Sequence, residues 1–540
     1  MCICTAGFYA PAAEGEDATC TICPAGSDCA EPGATVATLQ LEPGHWRSSN
    51  ESTEILKCDR EEACAPACDD KTELIKEQTG GEVEDCSYYE EYCADGSALV
   101  NSAKPFPEGW LATHCAKTCG LCGQLTCAEG HRGPMCELCE DGYAAMQGSC
   151  VECEGGGSAA ALVGFVVVLL MTAALLAWFV RRNGAKVKKW THGSGMAAVK
   201  AVLAYSQILG SLSVTMLVDF GPAFSGLTQV LAASNLDFVS FLPLDCVAPM
   251  DHHARLLGYT LGILVLDAVL LLAYKAAGKG KGGQVLMALF LVNSFLLPQV
   301  SMVIFSTFPC TKFDGDYGTY LTADKSIDCA GAAHAGMVAY ATAMILVFPV
   351  GKPLLCLYLL WRKRKEIDVG QDRLEKEHAV QHGDGAAGLQ EAVELRDKNE
   401  DIKHLAFLYE SYQPKYWWYE VLETYRRIAL TGGLRLLDGG SGLQFAVGLL
   451  ICFFGLRTVA VKKPYLTDGT NRFAEIVGWQ LVLTFVGAQV VSISDGDKTD
   501  GAVDVFLVAV QVGGGLLAVV GAGFEAMGFR QENAEALAAV

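Results

Sequence analysis

The sequence is poor in charge and lacks the common catalytic motifs. Only 19% of its 540 residues are charged and 51% are hydrophobic, whereas soluble domains average about a quarter charged. It contains no glycine-rich phosphate-binding loop, no Gly-x-Ser-x-Gly elbow, no His-Glu-x2-His zinc helix and no kinase signature set. We therefore expect neither an enzyme nor a bound cofactor.

Basic residues are scarce in the N-terminal segment. Residues 1–156 contain 28 acidic and 8 basic residues, so their net charge of −20 is almost the whole of the chain's −21. An acidic surface argues against binding to nucleic acid. The start of the chain also lacks the basic and apolar regions of a signal peptide and opens inside a cysteine cluster at Cys2 and Cys4. We expect the natural chain to begin earlier, with an export signal.

Cysteine, by contrast, is abundant in this segment. Eighteen of the 23 cysteines precede residue 154. Dense cysteines of this kind predict a disulfide framework, which persists only in an oxidising compartment. The triplet Asn50-Glu51-Ser52 makes Asn50 a candidate glycosylation site. The sequence therefore predicts an extracellular or lumenal head.

The remainder of the chain is nearly neutral and contains long apolar runs. A run of about 18 or more apolar residues predicts a membrane-spanning helix. The lipid bilayer is therefore the first expected partner. Nine runs qualify: Ala159–Val180, Met196–Leu217, Leu256–Tyr274, Gln284–Phe308, Gly336–Leu360, Trp417–Leu437, Gly442–Val461, Ala474–Ser494 and Val503–Phe524.

The loops between these runs alternate in charge. Basic residues follow the first, third, fifth and seventh runs, including the four consecutive residues Arg362–Lys365. The loops at residues 237–251, 314–328 and 495–500 are acidic instead. Since basic loops mark the cytoplasmic side, we expect the head outside or in a lumen and the C-terminal tail, residues 531–540, in the cytoplasm of a plasma-membrane or endomembrane protein.

The sixth run is the least apolar. It carries five charged residues: Glu420, Glu423, Arg426, Arg427 and Arg435. Glu423 and Arg427 are four residues apart, so they share a helix face and are expected to pair. An amphipathic helix on the inner surface is the alternative. We favour a span, because removing it would place Lys462 and Lys463 outside.

Polar residues inside the apolar runs are the candidates for an ion pathway. Asp267 lies in the middle of the third run, and an intramembrane carboxylate is a functional candidate by default. It would line a pore, accept protons or pair with an arginine such as Arg427. Gln207, Gln299, Glu423 and Arg427 are further candidates. Pro349 and Pro353 predict a kink in the fifth run.

The longest predicted cytoplasmic loop covers residues 362–416. Its mixed charge predicts helices near Leu374–Val380 and Leu389–Leu408, separated by a break at Gly383–Gly385. A solvated linker and a regulatory segment are the two interpretations.

Cysteine patterns divide the head into three modules. In residues 1–63, Cys-x-Cys-x2-Gly-Phe-Tyr followed by Cys-x2-Cys-Pro-x-Gly-x2-Cys resembles the ephrin-receptor-like cysteine repeat. In residues 64–123, the ending His114-Cys115-Ala-Lys-Thr-Cys119-Gly-Leu-Cys122 resembles a ShKT domain, although the spacing before Cys115 departs from that family. Residues 124–156 resemble an EGF- or laminin-like stalk.

The stalk and one outer loop supply further disulfide candidates. The stalk cysteines are Cys127, Cys136, Cys139, Cys150 and Cys153. Cys136 and Cys139 also have the spacing of zinc ligands, but an oxidising compartment favours disulfides. Cys310 and Cys329 in an outer loop are a candidate pair, and Cys246 would then be unpaired or bonded to the head.

The whole arrangement resembles multi-pass proteins of algae and oomycetes whose membrane region is likened to transient-receptor-potential-like (TRP-like) channels. The matching stretches include Tyr205–Ser211, Cys310–Cys329, Phe348–Pro353 and Trp417–Arg427. The expected fold is a membrane all-α bundle, residues 157–530, with a small disulfide-rich, loop-rich head. The resemblance implies a cation channel. The sequence is also compatible with an oligomer. A non-conducting receptor or adhesion protein that binds extracellular proteins or glycans is the alternative.

Overall fold

A computed structural model describes the chain in two compact units, each treated by itself below. The described residues are 3–11, 20–49, 51–58, 60–64, 127–146, 149–153, 194–216, 218, 220–232, 235, 250–276, 278–314, 317–382, 385–437, 439–493 and 501–515. The first predicted span, most of the ShKT-like module with Cys115, Cys119 and Cys122, and the sequon residue Asn50 lie outside these ranges.

The first unit contains the described cysteine-rich residues together with Cys310–His334. Its strands are very short and pair as antiparallel hairpins: β1 Phe8–Tyr9, β2 Thr21–Ile22, β3 Ser27–Asp28, β4 Gln40–Leu41, β5 His45–Trp46, β6 Leu56–Lys57, β7 His131–Arg132, β8 Leu138–Cys139, β9 Tyr143–Met146, β10 Ser149–Glu152, β11 Cys310–Phe313, β12 Gly318–Leu321 and β13 Asp324–Asp328.

Disulfides replace a large core in this unit, because modules of this size bury little apolar surface. The bonded pairs are Cys4–Cys20, Cys23–Cys29, Cys58–Cys64, Cys127–Cys136, Cys139–Cys150 and Cys310–Cys329. Cys153 is also disulfide-bonded. The disulfide-rich character of the N-terminal region is confirmed, which indicates an oxidising environment for it.

A buried arginine supports the first cysteine module. Arg47 is fully buried, and its guanidinium donates to the carbonyl oxygens of Val36 at 2.6 Å and Leu39 at 3.1 Å. These bonds tie β5 to the turn of 3₁₀ helix at Val36–Thr38. Buried backbone carbonyls need hydrogen-bond donors, and in this module the Arg47 side chain supplies them where a larger domain would use a sheet.

The loop that holds Cys310 and Cys329 is part of the same unit. Strands β11, β12 and β13 form a three-stranded antiparallel sheet, which the sequence analysis did not anticipate. Trp46 packs edge-to-face on Phe313 and Tyr317, with ring centroids 5.3 and 5.4 Å apart. Ser52 donates a hydrogen bond to Asp314, 3.3 Å away. The head therefore includes a segment from a distant part of the chain.

The second unit is helical. Its described helices, in chain order, are α1 Ser194–Gly210, α2 Leu212–Met216, α3 Pro222–Ala232, α4 His252–Ala276, α5 Gly278–Phe305, α6 Ala332–Val347, α7 Gly351–Ile367, α8 Gln371–His382, α9 Gly385–Lys398, α10 Ala406–Tyr409, α11 Tyr419–Thr431, α12 Gly442–Lys462, α13 Asp468–Ile493 and α14 Gly501–Gly515. The first residues of α6 belong to the first unit.

Five candidate spans stand out among the described residues. They are long and apolar enough to cross a membrane, as expected for a multi-pass membrane protein: His252–Ala276, Val285–Phe305, a segment within Ala332–Val380, Gly442–Lys462 and Asp468–Ile493. Within the described residues, which do not include the first predicted span, the predicted count of nine is not reached. The described parts of two further apolar helices, Met196–Gly210 and Gly501–Gly515, are shorter than these candidates.

The predicted sixth span differs most from expectation. Helix α11 has 13 residues, and its C-cap is Gly432. A single helix of this length is too short to cross a bilayer. It is not a surface helix either, because seven of its residues are buried, including Glu420 and Arg427. It packs against α1, α5, α7 and α12, so protein rather than lipid surrounds its charges.

The loop predicted to be cytoplasmic forms a helical hairpin. Helices α8 and α9 pack together, and their described ends, His382 and Gly385, lie at the position of the predicted break. His378 and Glu391 link them, with 2.6 Å between the imidazole and the carboxylate. Arg396 at the end of α9 is fully buried and donates to the carbonyl oxygen of Tyr412 at 2.8 Å. The segment is thus folded onto the bundle rather than a free linker.

Candidate functional site

A short polar turn interrupts the apolar sequence of α5. Residues 293–299, which we call the polar turn, contain Asn293, Ser294, Pro298 and Gln299 among apolar neighbours. Pro298 has no amide hydrogen, so the carbonyl of Ser294 loses its helical partner four residues on. Polar side chains from α1, α4, α7 and α11 converge at this turn of α5.

The first group at the polar turn is a closed triad of side chains. The ammonium of Lys352 lies 2.6 Å from Asp267 Oδ2, and the amide nitrogen of Asn293 donates to Asp267 Oδ1 at 2.7 Å. Lys352 also donates to the amide oxygen of Asn293. Each member therefore bonds to both others, and the Lys352 and Asp267 side chains are each only 16% exposed.

A break between helices brings Lys352 to this position. Helix α6 ends at Val347 and α7 begins at Gly351, around the predicted kink. A side chain at Gly351 would clash with the carbonyl oxygen of Leu346, so only glycine fits this turn. The ammonium of Lys352 then lies 4.6 Å from the ring centroid of Phe348. The cation is thus held by an aromatic face as well as by the triad.

Two further helices reach the same polar turn. From α11, the guanidinium of Arg427 donates to Ser294 Oγ at 3.2 Å. From α1, the amide of Gln207 donates to the carbonyl oxygen of Phe295 at 3.0 Å. Arg427 and Gln207 are both buried. The polar turn is therefore the meeting point of α1, α4, α5, α7 and α11.

Of the five predicted pathway residues, the structure brings four to this turn. Asp267, Gln207 and Arg427 bond to it, and Gln299 belongs to it. Glu423 lies elsewhere and bonds to Arg426, three residues away, rather than to Arg427 as predicted. Asp267 pairs with Lys352 and not with Arg427, because the helix break before Gly351 places the lysine beside it.

A second buried ion pair lies at the first turn of α11. Glu420 is 2.8 Å from the ammonium of Lys200 and accepts a hydrogen bond from the hydroxyl of Tyr412 at 2.9 Å. Burial, and then the charge of Glu420, raises the pKa of the Tyr412 hydroxyl well above its ordinary value of 10.0. Tyr412 therefore stays protonated and remains a donor to Glu420.

Sequence reasoning missed Lys200, Asn293 and Lys352 as partners of these acids. Each stands in or beside an apolar run, which is the signal that could have singled it out. The predicted kink at Pro349 and Pro353 surrounds Lys352 but does not indicate its partner. The pairing with Asp267 spans 85 residues of sequence, which no local pattern reveals.

One cysteine group has the composition of a metal site. Cys310, Cys329 and His334 offer ligand atoms within 4.8 Å of one another, with 4.0 Å between Cys310 Sγ and His334 Nε2. The two sulfurs are bonded to each other, however, and a disulfide is not a thiolate ligand. Cys139 likewise pairs with Cys150, and Cys136 with Cys127, so the stalk sulfurs serve as bridges.

Comparison of the chain with protein-family models, with curated proteins and with solved structures found no match.

Proposed function

We propose that this multi-pass membrane protein is a TRP-like cation channel whose ion pathway runs past the polar turn. The observation that carries the proposal is the pairing of Asp267 with Lys352 and Asn293 inside apolar helices. A charged side chain within a membrane is costly, and the pairs that occur there often belong to ion pathways. The ammonium of Lys352 occupies the position that a cation attracted by Asp267 would take.

In this proposal the lysine acts as a tethered blocking cation. Its release from Asp267 would leave the carboxylate and the Asn293 amide oxygen to replace part of the water around a permeating ion. The break between α6 and α7 provides the place where Lys352 can move, since the backbone there is not held in a continuous helix.

Electrical recording from cells that express the full chain tests this function. Wild type is expected to carry a cation current, and Asp267→Asn is expected to abolish or strongly reduce it at equal surface level. Asp401→Asn is the matched control, because Asp401 is an exposed carboxylate outside the spans. No current from wild type under voltage, osmotic and ligand stimuli, with surface expression verified, would overturn the proposal.

A non-conducting receptor or adhesion protein is the second candidate, and the head supports it. Trp46, Phe313 and Tyr317 join two distant parts of the chain into one compact unit. A rigid disulfide-bonded head suits recognition of extracellular proteins or glycans. Binding of such ligands to cells that express the full chain, without any current, would favour this function. Loss of that binding in Trp46→Ala at equal surface level would assign it to the head.

The proposal includes a multi-pass topology with the head outside or in a lumen, and the C-terminus in the cytoplasm of a plasma membrane or endomembrane. The alternation of loop charge supports it. Glycosylation at Asn50 would place the head outside the cytoplasm. A mass shift upon treatment with an N-glycosidase, lost in Asn50→Gln, tests that side. Cross-linking in membranes tests whether the pathway forms in an oligomer.

A further inference from the structure

We propose that the C-terminal end of α7 selects anionic phospholipids from the surrounding bilayer and holds the lipid phosphate between Arg362 and Lys365. Such selection is separate from ion conduction and does not depend on it. It is supported by an exposed face of α7 that is apolar over its first turns and basic at its end.

The apolar part of this face consists of four large side chains. Each of them is 48–57% exposed: Leu354, Leu355, Tyr358 and Trp361. Helix α7 lies within the segment Ala332–Val380, which contains a candidate membrane span. Apolar side chains that a spanning segment leaves exposed are expected to contact lipid acyl chains.

Two basic residues continue the same face. Arg362 and Lys365 are both exposed, and with 3.6 residues per turn they share about a third of the helix circumference with the four apolar side chains. A rise of about 1.5 Å per residue puts Lys365 roughly 16 Å from Leu354 along the axis, close to the hydrocarbon thickness of one leaflet, about 15 Å. A lipid whose acyl chains lie along the leucines therefore has its phosphate level with the basic residues.

No protein carboxylate occupies these two cations. Neither Arg362 nor Lys365 forms an ion pair in the part of the chain that the structure describes. Glu366 is engaged by Lys363, whose ammonium lies 2.9 Å from both of its carboxylate oxygens. The guanidinium of Arg362 lies 5.8 Å from the ring centroid of Tyr358, which keeps it beside the apolar part of the face. The positive charge at this end of α7 thus complements an anionic headgroup.

Trp361 marks the boundary between the apolar and the basic parts. Arg364 donates to its carbonyl oxygen at 2.8 Å and stacks on its indole ring, with 4.5 Å between the guanidinium and the ring centroid. A half-exposed tryptophan at this level is typical of the membrane–water interface. The face therefore matches the order of acyl chain, glycerol and phosphate in a phospholipid. An acidic peptide from the solvent would leave the exposed leucines without a partner.

Quenching of tryptophan fluorescence by brominated lipids tests the site in the full chain reconstituted into vesicles. The signal of Trp361 is the difference between wild type and Trp361→Phe. Brominated phosphatidylglycerol in phosphatidylcholine vesicles should quench this signal more strongly than brominated phosphatidylcholine at the same fraction. Arg362→Gln and Lys365→Gln should each weaken that preference by up to about fivefold, the factor that one basic residue near a membrane surface contributes. The double variant should abolish it.

The matched control is Lys363→Gln combined with Glu366→Gln, which removes an ion pair from the same helix end without a change in net charge. It should keep the preference of wild type. Equal quenching by the two brominated lipids in wild type would overturn the proposal, and so would a preference that the Arg362→Gln and Lys365→Gln double variant retains. Loss of the preference when glycerol phosphate is added to the buffer would assign the basic pair to a free phosphate and would contradict selection of a lipid.

Discussion

Breaking the pair of Asp267 and Lys352 is the sharpest perturbation that the structure suggests. Asp267→Asn leaves the lysine charged among apolar helices, and Lys352→Met leaves the carboxylate with Asn293 alone. Since both side chains are only 16% exposed, each single change should cost about 3–5 kcal/mol of unfolding free energy. The double variant removes both charges and should lie within about 1–2 kcal/mol of wild type, because the lost attraction offsets the lost desolvation penalty.

Titration of the purified protein with a denaturing detergent in mixed micelles, followed by far-ultraviolet circular dichroism, measures these differences. The four proteins form a double-mutant cycle, and its coupling energy isolates the interaction of the pair. Lys363→Met is the control. It breaks an ion pair with Glu366 in which both side chains are about one-third exposed, and such pairs contribute under about 1 kcal/mol.

The refuting result is additivity. If the double variant loses the sum of the two single costs, with a coupling energy below about 0.5 kcal/mol, the two residues do not act as a pair. The geometry that carries the proposed function would then be wrong. Single variants as stable as the Lys363→Met control would lead to the same conclusion.

Three other predictions concern parts of the chain away from the polar turn. Replacing Cys310 and Cys329 by serine should lower the unfolding free energy of the first unit by about 3 kcal/mol, since their bond closes a loop with a sequence separation of 19. Limited proteolysis between the two positions should become faster, and unchanged proteolysis would contradict this. Asp504→Ala should lower protection from hydrogen exchange in the first turn of α3 by about 1–2 kcal/mol, because Asp504 accepts from the amides of Ala223 and Phe224, whereas Asp504→Asn should lose less. Burial, and then the charge of Lys363, lowers the pKa of His404 below its ordinary value of 6.5. The folded protein therefore favours neutral His404, and this contribution to stability is fully present above pH 6.5. It is lost as the pH falls through the lowered pKa. His404→Gln should flatten the pH dependence of the unfolding midpoint in that range, and an unchanged profile would count against the role of His404.

Apolar length and cysteine density are the features that the sequence predicts well. Runs such as Leu256–Tyr274 correspond to helices long and apolar enough to span, because apolar length alone determines that property. The helical hairpin of α8 and α9 also follows from local signals, with a break where Gly383–Gly385 interrupts the pattern.

Pairings between distant residues are what the sequence could not supply. Asp267 and Lys352 are far apart along the chain, and the choice of lysine over arginine depends on where a helix break turns the backbone. The contact of Trp46 with Phe313 also joins residues far apart along the chain. The acidic loop that contains Phe313 shows no sequence pattern that indicates its three-stranded sheet.

Helix α11 shows a different limit. Its charges suggested a membrane crossing or a surface helix, because the sequence alone offers lipid or water as surroundings. The structure gives it a third environment, the interior of a helix bundle, where Glu420 and Glu423 find partners on α1 and on α11 itself. Burial by neighbouring helices is a tertiary property, so no window of hydropathy predicts it.

Cation current through the purified protein in planar bilayers tests the central claim most directly. If Lys352 blocks the cation position beside Asp267, Lys352→Met should carry more current than wild type, and Asp267→Asn added to that variant should abolish the gain. Equal currents from wild type, Lys352→Met and the double variant, or no current from any of them with folded protein verified, would contradict the account.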